Sequence, residues 1–179
     1  LGNLDGVTGT VPIVTGSALF ERGNTQALAT VTLGSLEDSQ RLDNLTGPTS
    51  KRLMLHYSFP SFSVNETGAR GLSRREVGHD ALAEKSLLGV FPDEDAFPFA
   101  VRVNTETLES NGSSSMAAVC SGSMALMDAG VPLTEHVGAI PIGLVLAEAE
   151  ETGEGKRHAP LDSNMSLEVV YGEMAFTRL

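Results

Sequence analysis

Glu109-Ser110-Asn111-Gly112-Ser113-Ser114-Ser115-Met116 brings consecutive hydroxyls to the point where an apolar strand pattern gives way to small and apolar residues running to Cys120. The strand candidate ends near Leu108, the Asn-Gly pair marks a tight turn, and the run that follows reads as helix. The chemistry on offer is anion binding. A helix's first turn carries N–H donors without intrahelical partners and the positive end of its dipole, a glycine lets the backbone come close, and serines add further donors. Phosphate is the natural occupant. One serine would more simply cap a buried helix, but three in a row after Asn-Gly favour an anion held by Ser113, Ser114 and Ser115.

A second constellation lies upstream. Ser73 is followed three residues later by Glu76, the pattern of a capping box, so a helix is expected from Ser73 to about Gly89. Its inward stripe would be Val77, Ala81, Leu82, Leu87 and Leu88. Arg74 and Arg75 then occupy the first turn, where the dipole disfavours cations. Sequence rules tend to fail at functional sites, so these arginines read as ligand-binding groups, against the plainer alternative of two solvated surface residues. His79 taken alone reads as a packed, hydrogen-bonded histidine.

The elements that must position these groups follow from periodicity. Residues 1–15, with Pro12, read as irregular chain or one edge strand, and 17–20 with 26–33 as a hairpin turning at Arg22-Gly23-Asn24. The polar stretch 37–52, containing Gly47-Pro48, reads as a loop, 53–59 as a strand closed by Pro60, and 61–72 as another loop. Residues 97–108 alternate as a strand. The serine-led helix runs to about Ala129 and stops at Gly130-Val131-Pro132; its many small residues suit close packing on a sheet. A strand over 137–146, an acidic loop holding Gly153 and Gly155, and a closing hairpin of 167–171 and 173–178 complete the chain. This order predicts an α+β fold, a mixed β-sheet with helices packed on it, in a single domain over 1–179 without internal repeats.

Composition narrows the function classes. A chain of 179 residues with 41% hydrophobic and 20% charged residues suits one globular domain with a real core, built without Trp from Leu, Val, Ala and Met. The longest apolar window, 137–147, is interrupted by Gly138, Pro141 and Gly143 and is too short for a membrane span. No targeting peptide is expected at the N-terminus, and the absence of an initiator Met suggests a processed chain or a fragment. The single Cys120 excludes a disulfide framework and reads as a buried thiol. A net charge of −11 argues against general affinity for nucleic acid, yet Arg70, Arg74 and Arg75 form a local cationic strip while acidic residues gather at 93–95 and 148–154.

Three stretches together become recognisable. Thr15-Gly-Ser-Ala-Leu-Phe-Glu-Arg-Gly-Asn-Thr-Gln26, then Arg74-Arg-Glu-Val-Gly-His79 with Ala81-Leu-Ala-Glu84, and finally Glu109-Ser-Asn-Gly-Ser-Ser-Ser-Met116 with Ala125-Leu-Met-Asp-Ala-Gly-Val-Pro132 resemble the polynucleotide phosphorylase family, in its second ribonuclease PH-like core domain. The likeness extends from about Pro12 to Leu146 and includes Met54-Leu-His-Tyr-Ser-Phe-Pro60 and Glu66-Thr-Gly68. It implies a ribonuclease PH-like fold and a phosphorolytic 3′-to-5′ exoribonuclease, a polyribonucleotide nucleotidyltransferase, in which inorganic phosphate releases nucleoside diphosphates from RNA. By that resemblance Ser113, Ser114 and Ser115 hold the attacking phosphate, Arg74, Arg75 and His79 line the same centre, and Arg22 stands near the RNA path. Single-stranded RNA, ring-shaped trimers, Mg²⁺, and a mitochondrial, chloroplast or otherwise cytoplasmic setting are implied in the same way.

The departures are specific. The family ends its acidic segment with Gly-Asp-Met-Asp-Phe-Lys, whose aspartates hold Mg²⁺; aligned here, Val169 and Ala175 stand at the metal positions and Thr177 at the lysine. Neither hydrocarbon side chain ligates a hard cation, and Glu168 and Glu173 are poor substitutes because successive strand residues face opposite ways. Asp80 replaces a family glycine, and the chain is expected to be a fragment or divergent over 147–179. Two other readings stand beside the enzyme: an inactive RNA-binding ring subunit of the same fold, and a small-molecule kinase of the GHMP type, whose Gly-Ser-Ser-Ala loop also sets phosphate on a helix start.

Overall fold

Alternating apolar residues build most of the sheet. In the computed structural model, which describes residues 3–45, 47–68, 71, 73–144 and 169–178, the strands are β1 (Leu4–Thr8), β2 (Gly16–Arg22), β3 (Thr25–Gly34), β4 (Gln40–Asn44), β5 (Gly47–Lys51), β6 (Leu53–Ser58), β7 (Ala100–Glu109), β8 (Val137–Leu144) and β9 (Val169–Arg178). The helices are α1 (Arg74–Leu88) and α2 (Ser114–Asp128). One five-stranded sheet has the order β1-β2-β3-β7-β6, antiparallel except for the parallel β6–β7 pair that α1 connects. The expected mixed sheet with packed helices is thus present. Among the described residues no helix is long and apolar enough to cross a membrane.

Register stacks the core in rows, with Ala18 opposite Ala29, Ala29 opposite Thr105 and Thr105 opposite Tyr57. On this face lie α1 and α2. Small residues let α2 come close: a Cβ on Gly122 would meet Leu87 Cδ1 at 3.1 Å, and one on Gly16 would lie 2.5 Å from the backbone of Ala125 and Ala129. The α2 C-terminus closes as foreseen, with Gly130 left-handed and the Val131 and Gly130 N–H groups donating to Leu126 and Met127 carbonyls.

The structure corrects several expectations. Residues 37–52 are not a loop: a 3-10 turn and the β4–β5 hairpin occupy them, hidden from pattern reading because the ribbon is largely exposed and has no apolar alternation. The strand expected from Phe97 begins at Ala100. The closing hairpin is instead one strand, β9, paired antiparallel along β8; the acidic loop with Gly153 and Gly155, and Arg70, lie outside the described residues.

The largest correction concerns α1. Its start at Ser73 is as expected, with Ser73 Oγ accepting from the Glu76 N–H and the Glu76 carboxylate from the Ser73 N–H. Of the expected inward stripe, however, only Leu87 is fully buried; Val77 and Leu88 are more than half exposed. The buried face carries His79, Ala83 and Ser86, flanked by Glu76, Asp80 and Glu84. The reason is electrostatic. β6 is the sheet edge, and its outward N–H groups need acceptors. Glu76 Oε1 accepts from Phe59 N (3.1 Å), Asp80 Oδ1 from Tyr57 N (2.8 Å) and Glu84 Oε2 from Leu55 N (3.3 Å). Carboxylates one helical turn apart thus serve strand N–H groups two residues apart, which turns the polar face of the helix inward.

Candidate functional site

The serine turn is held in an uncommon conformation. Gly112 and Ser113 both have positive φ, 85° and 58°. For serine this left-handed geometry costs of the order of 1 kcal/mol and persists where surroundings enforce it. The enforcing contacts are visible: the Gly112 carbonyl accepts from Arg22 Nη2 (3.1 Å) and Thr25 Oγ1 (2.9 Å), and the Asn111 N–H donates to Thr25 Oγ1 (3.0 Å). Beside them the β3–β7 register shifts at Gln26/Ala27, an irregularity of the kind that re-aims side chains near functional sites. Ser113 occupies the cap position of α2, yet its side chain makes no capping hydrogen bond. Backbone N–H donors at the positive end of a 15-residue helix are therefore not spent on the serine that precedes them.

Ser114 and Ser115 are buried, at 1% and 0% exposure, whereas Ser113 is half-buried. Ser114 Oγ lies 2.7 Å from Tyr57 Oη, and Thr107 Oγ1 donates to the same phenol at 3.4 Å. Around Tyr57 the α1 residues gather: His79 presents its ring edge-on at 5.2 Å, and Phe59 stacks at 6.5 Å with the Arg75 guanidinium 5.5 Å from its own centroid. Ser114 and His79 thus both contact Tyr57, Arg75 lies over the neighbouring Phe59 ring, and Arg22 reaches the serine turn through the Gly112 carbonyl. Arg74 is exposed at the start of α1, and no described contact ties it to the serine turn.

The carboxylates behind this wall differ in their affinity for protons. The Ser73 N–H bonded to Glu76, opposed in part by burial, holds its carboxyl below the usual range, and the Phe59 N–H acts the same way. Burial pushes Asp80 up, against the Tyr57 N–H and the nearby His56 and Lys51, with Glu84 adding to the rise. Cys120 is partly buried; desolvation raises its thiol, which also contacts the Ala139 backbone on β8.

A cationic, donor-rich helix start on this sheet can be compared with known proteins. Residues 3–132 match the family model described as 3′ exoribonuclease family, domain 1. The chain belongs to the 3′ exoribonuclease family. It is 56% identical over 168 residues to the mitochondrial polyribonucleotide nucleotidyltransferase 2 of Oryza sativa subsp. japonica, covering 93% of this chain and 17% of that protein. It is also 56% identical over 171 residues to the polyribonucleotide nucleotidyltransferase of Solibacter usitatus, covering 94% of this chain and 23% of that one. The chain therefore spans about a sixth to a quarter of the length of these curated relatives. The crystal structure of rice Rrp46 matches at a TM-score of 0.64 and 19% identity, covering 81% of this chain and 62% of that one, a likeness of fold. Membership of the exoribonuclease family sets aside the kinase reading.

Against the metal expected in this exoribonuclease family, the residues present do not fit. Val169 pairs with Leu144 and Ala175 with Ala139 in the β8–β9 ribbon, and neither residue type offers oxygen to Mg²⁺. Among the described residues no cluster of three or more His, Cys, Asp or Glu side chains is arranged to hold a metal. Sequence reading passed over Tyr57, Thr107 and Thr25, which organise the serine turn. Their only signal was polarity at inward strand positions, where a hydroxyl must find a partner. The carboxylates Glu76, Asp80 and Glu84 did carry a legible signal, a repeat at four-residue spacing on one helix face.

Proposed function

We propose that the chain is a ribonuclease PH-like core domain of a longer phosphorolytic 3′-to-5′ exoribonuclease, a polyribonucleotide nucleotidyltransferase, acting on single-stranded RNA within a trimeric ring. The observation that carries the reading is the left-handed turn at Gly112–Ser113, which leads into α2 with its first-turn donors uncapped by the Ser113 side chain, and whose Ser114 bonds the same Tyr57 that His79 packs against. Inorganic phosphate sits on the Ser113–Ser115 helix start. One oxygen of hydrogen phosphate attacks the terminal phosphodiester phosphorus, the bond to the 3′ oxygen of the preceding nucleotide breaks, that oxygen takes up the proton the phosphate gives up and becomes the 3′-hydroxyl of the shortened RNA, and a nucleoside diphosphate is released. Such a transfer needs in-line positioning and cationic donors around spread negative charge more than it needs a covalent nucleophile.

Each residue has a role suited to its position. Backbone N–H groups and the Ser113 and Ser114 hydroxyls orient the phosphate, while the buried Ser115 contributes its backbone N–H. Arg75 and His79 stabilise the charge that accumulates at the scissile group. Arg22 and Arg74, one bonded to the turn and one exposed, take the RNA backbone. Val169 and Ala175 offer no oxygen to Mg²⁺, so Arg75, His79 and the helix start supply the charge stabilisation. The plant relatives carry mitochondrial names, which supports a mitochondrial setting.

The hydrocarbon residues at the metal positions favour a second reading, an RNA-binding ring subunit that does not cleave. Incubating the chain with poly(A), phosphate and Mg²⁺ separates the two. Release of ADP supports the enzyme; RNA binding without ADP supports the silent subunit. The paired substitution Arg74→Ala and Arg75→Ala is expected to lower RNA and phosphate affinity at least tenfold at low salt with little change in thermal stability. Unchanged affinity would remove these arginines from the site.

A further inference from the structure

Thr107, Tyr57 and Ser114 join three hydroxyls in a chain of hydrogen bonds within the protein interior, at 0%, 5% and 1% exposure. A phenol has one hydrogen to donate and lone pairs to accept. Thr107 donates to the Tyr57 oxygen, and Tyr57 Oη lies 2.7 Å from Ser114 Oγ, a short contact between hydroxyls. Tyr57 itself is fixed on every side that matters. Its backbone pairs with Thr105 in the sheet, its N–H donates to Asp80, and its ring lies against His79 and Phe59. Ser114 is the first residue of α2, where an anion needs donors and gains nothing from acceptors.

We infer that Tyr57 is a positioning residue of the phosphate site, donating its phenolic hydrogen to Ser114 Oγ so that the serine's own hydrogen is directed at the bound phosphate. The inference rests on the phosphate site proposed above. The phenol is a better hydrogen donor than an aliphatic hydroxyl, and accepting from Thr107 strengthens its own donation, which favours the phenol hydrogen pointing to Ser114. With its acceptor side occupied, Ser114 becomes a donor in the first turn, aligned with the backbone N–H groups. Without Tyr57 the serine can rotate to bond a carbonyl of the preceding segment and be lost to the anion.

The test is a double-mutant cycle on the full chain, with inorganic phosphate titrated by calorimetry into the unaltered protein, Tyr57→Phe, Ser114→Ala and the double variant. Tyr57→Phe keeps the ring contacts. It is expected to weaken phosphate binding about tenfold, the equivalent of one hydrogen bond. Ser114→Ala is expected to lose at least as much, and the double variant no more than Ser114→Ala, because Tyr57 acts through that serine. Thr107→Val should weaken binding in the same direction but less, which supplies a reading should Tyr57→Phe fail to fold. Unchanged affinity in Tyr57→Phe, or losses that add in the double variant, would overturn the inference and leave the site intact. An unaltered chain that binds no phosphate would overturn the site and the inference together.

Discussion

Glu76→Ala is expected to lower the melting temperature of the chain by about 4–8 °C. Both oxygens of this carboxylate are engaged: Oε2 accepts from the Ser73 N–H at 2.7 Å and Oε1 from the Phe59 N–H at 3.1 Å. Alanine removes both acceptors while leaving the reciprocal bond from Glu76 N to Ser73 Oγ. The site is partly exposed, so each lost bond costs about 1 kcal/mol net, about 2 kcal/mol together. A domain of this size shifts its midpoint by about 2–4 °C per kcal/mol, which gives the stated range. Glu76→Gln discriminates between simple volume loss and the proposed clamp. It keeps one acceptor and turns its amide donors toward an N–H donor, so its loss should fall between the unaltered chain and alanine. Thermal unfolding followed by circular dichroism reads both variants. A shift below about 1 °C for Glu76→Ala would refute the view that this carboxylate ties the start of α1 to the end of β6.

Two further outcomes follow from the same helix and its neighbour. Burial raises the Asp80 carboxyl above its ordinary 3.8, so the folded state holds the proton more tightly than the unfolded chain; the associated stability is full below that value and is lost as pH rises through the folded value. Asp80→Asn keeps an acceptor for the Tyr57 N–H and should become progressively more stable than the parent in urea titrations between acid and neutral pH; a pH-independent difference would contradict this. Glu76 has the opposite sign, since its lowered carboxyl contributes stability above 4.5 that is lost as pH falls through the folded value, so Glu76→Gln should narrow the gap to its parent on acidification. Gly16→Ala sets a Cβ 2.5 Å from the Ala125 carbonyl and the Ala129 nitrogen, backbone atoms that cannot swing aside, and is expected to cost about 3 kcal/mol or more in denaturant unfolding, with an unchanged midpoint as the contrary result.

The parts of the fold visible in the sequence were those where local signals and packing agree. The capping box at Ser73 and Glu76, the glycine stop at Gly130 and the alternation through β3 and β7 each mark a boundary that tertiary structure keeps. The β4–β5 hairpin escaped because an exposed ribbon has no face to bury and so no period to read. The orientation of α1 escaped for a deeper reason. Apolar periodicity points a helix at a core, but Asp80 and its fellow carboxylates answer the N–H groups of a sheet edge, a requirement that exists only once β6 has taken its place at that edge.

The same distinction separates what was legible in the site. Residue types were enough to locate the serine-led helix start and the arginine-led one, because serine, glycine and capping signals mark such boundaries wherever they fold. They did not announce that Ser114 and Ser115 are buried, nor that Arg75 lies over the Phe59 ring while Arg74 is simply exposed. Ser114 is held by Tyr57, an inward strand residue that looks like ordinary core by its position in Leu53–Ser58. The arginines in the first turn of α1 conflict with the helix dipole, and the structure answers the conflict with Glu76 in the same turn, whose carboxylate caps the helix and bonds to Phe59 beneath Arg75. One carboxylate thereby serves helix and sheet at once, closing the start of α1 and fixing the segment whose Phe59 ring lies under Arg75.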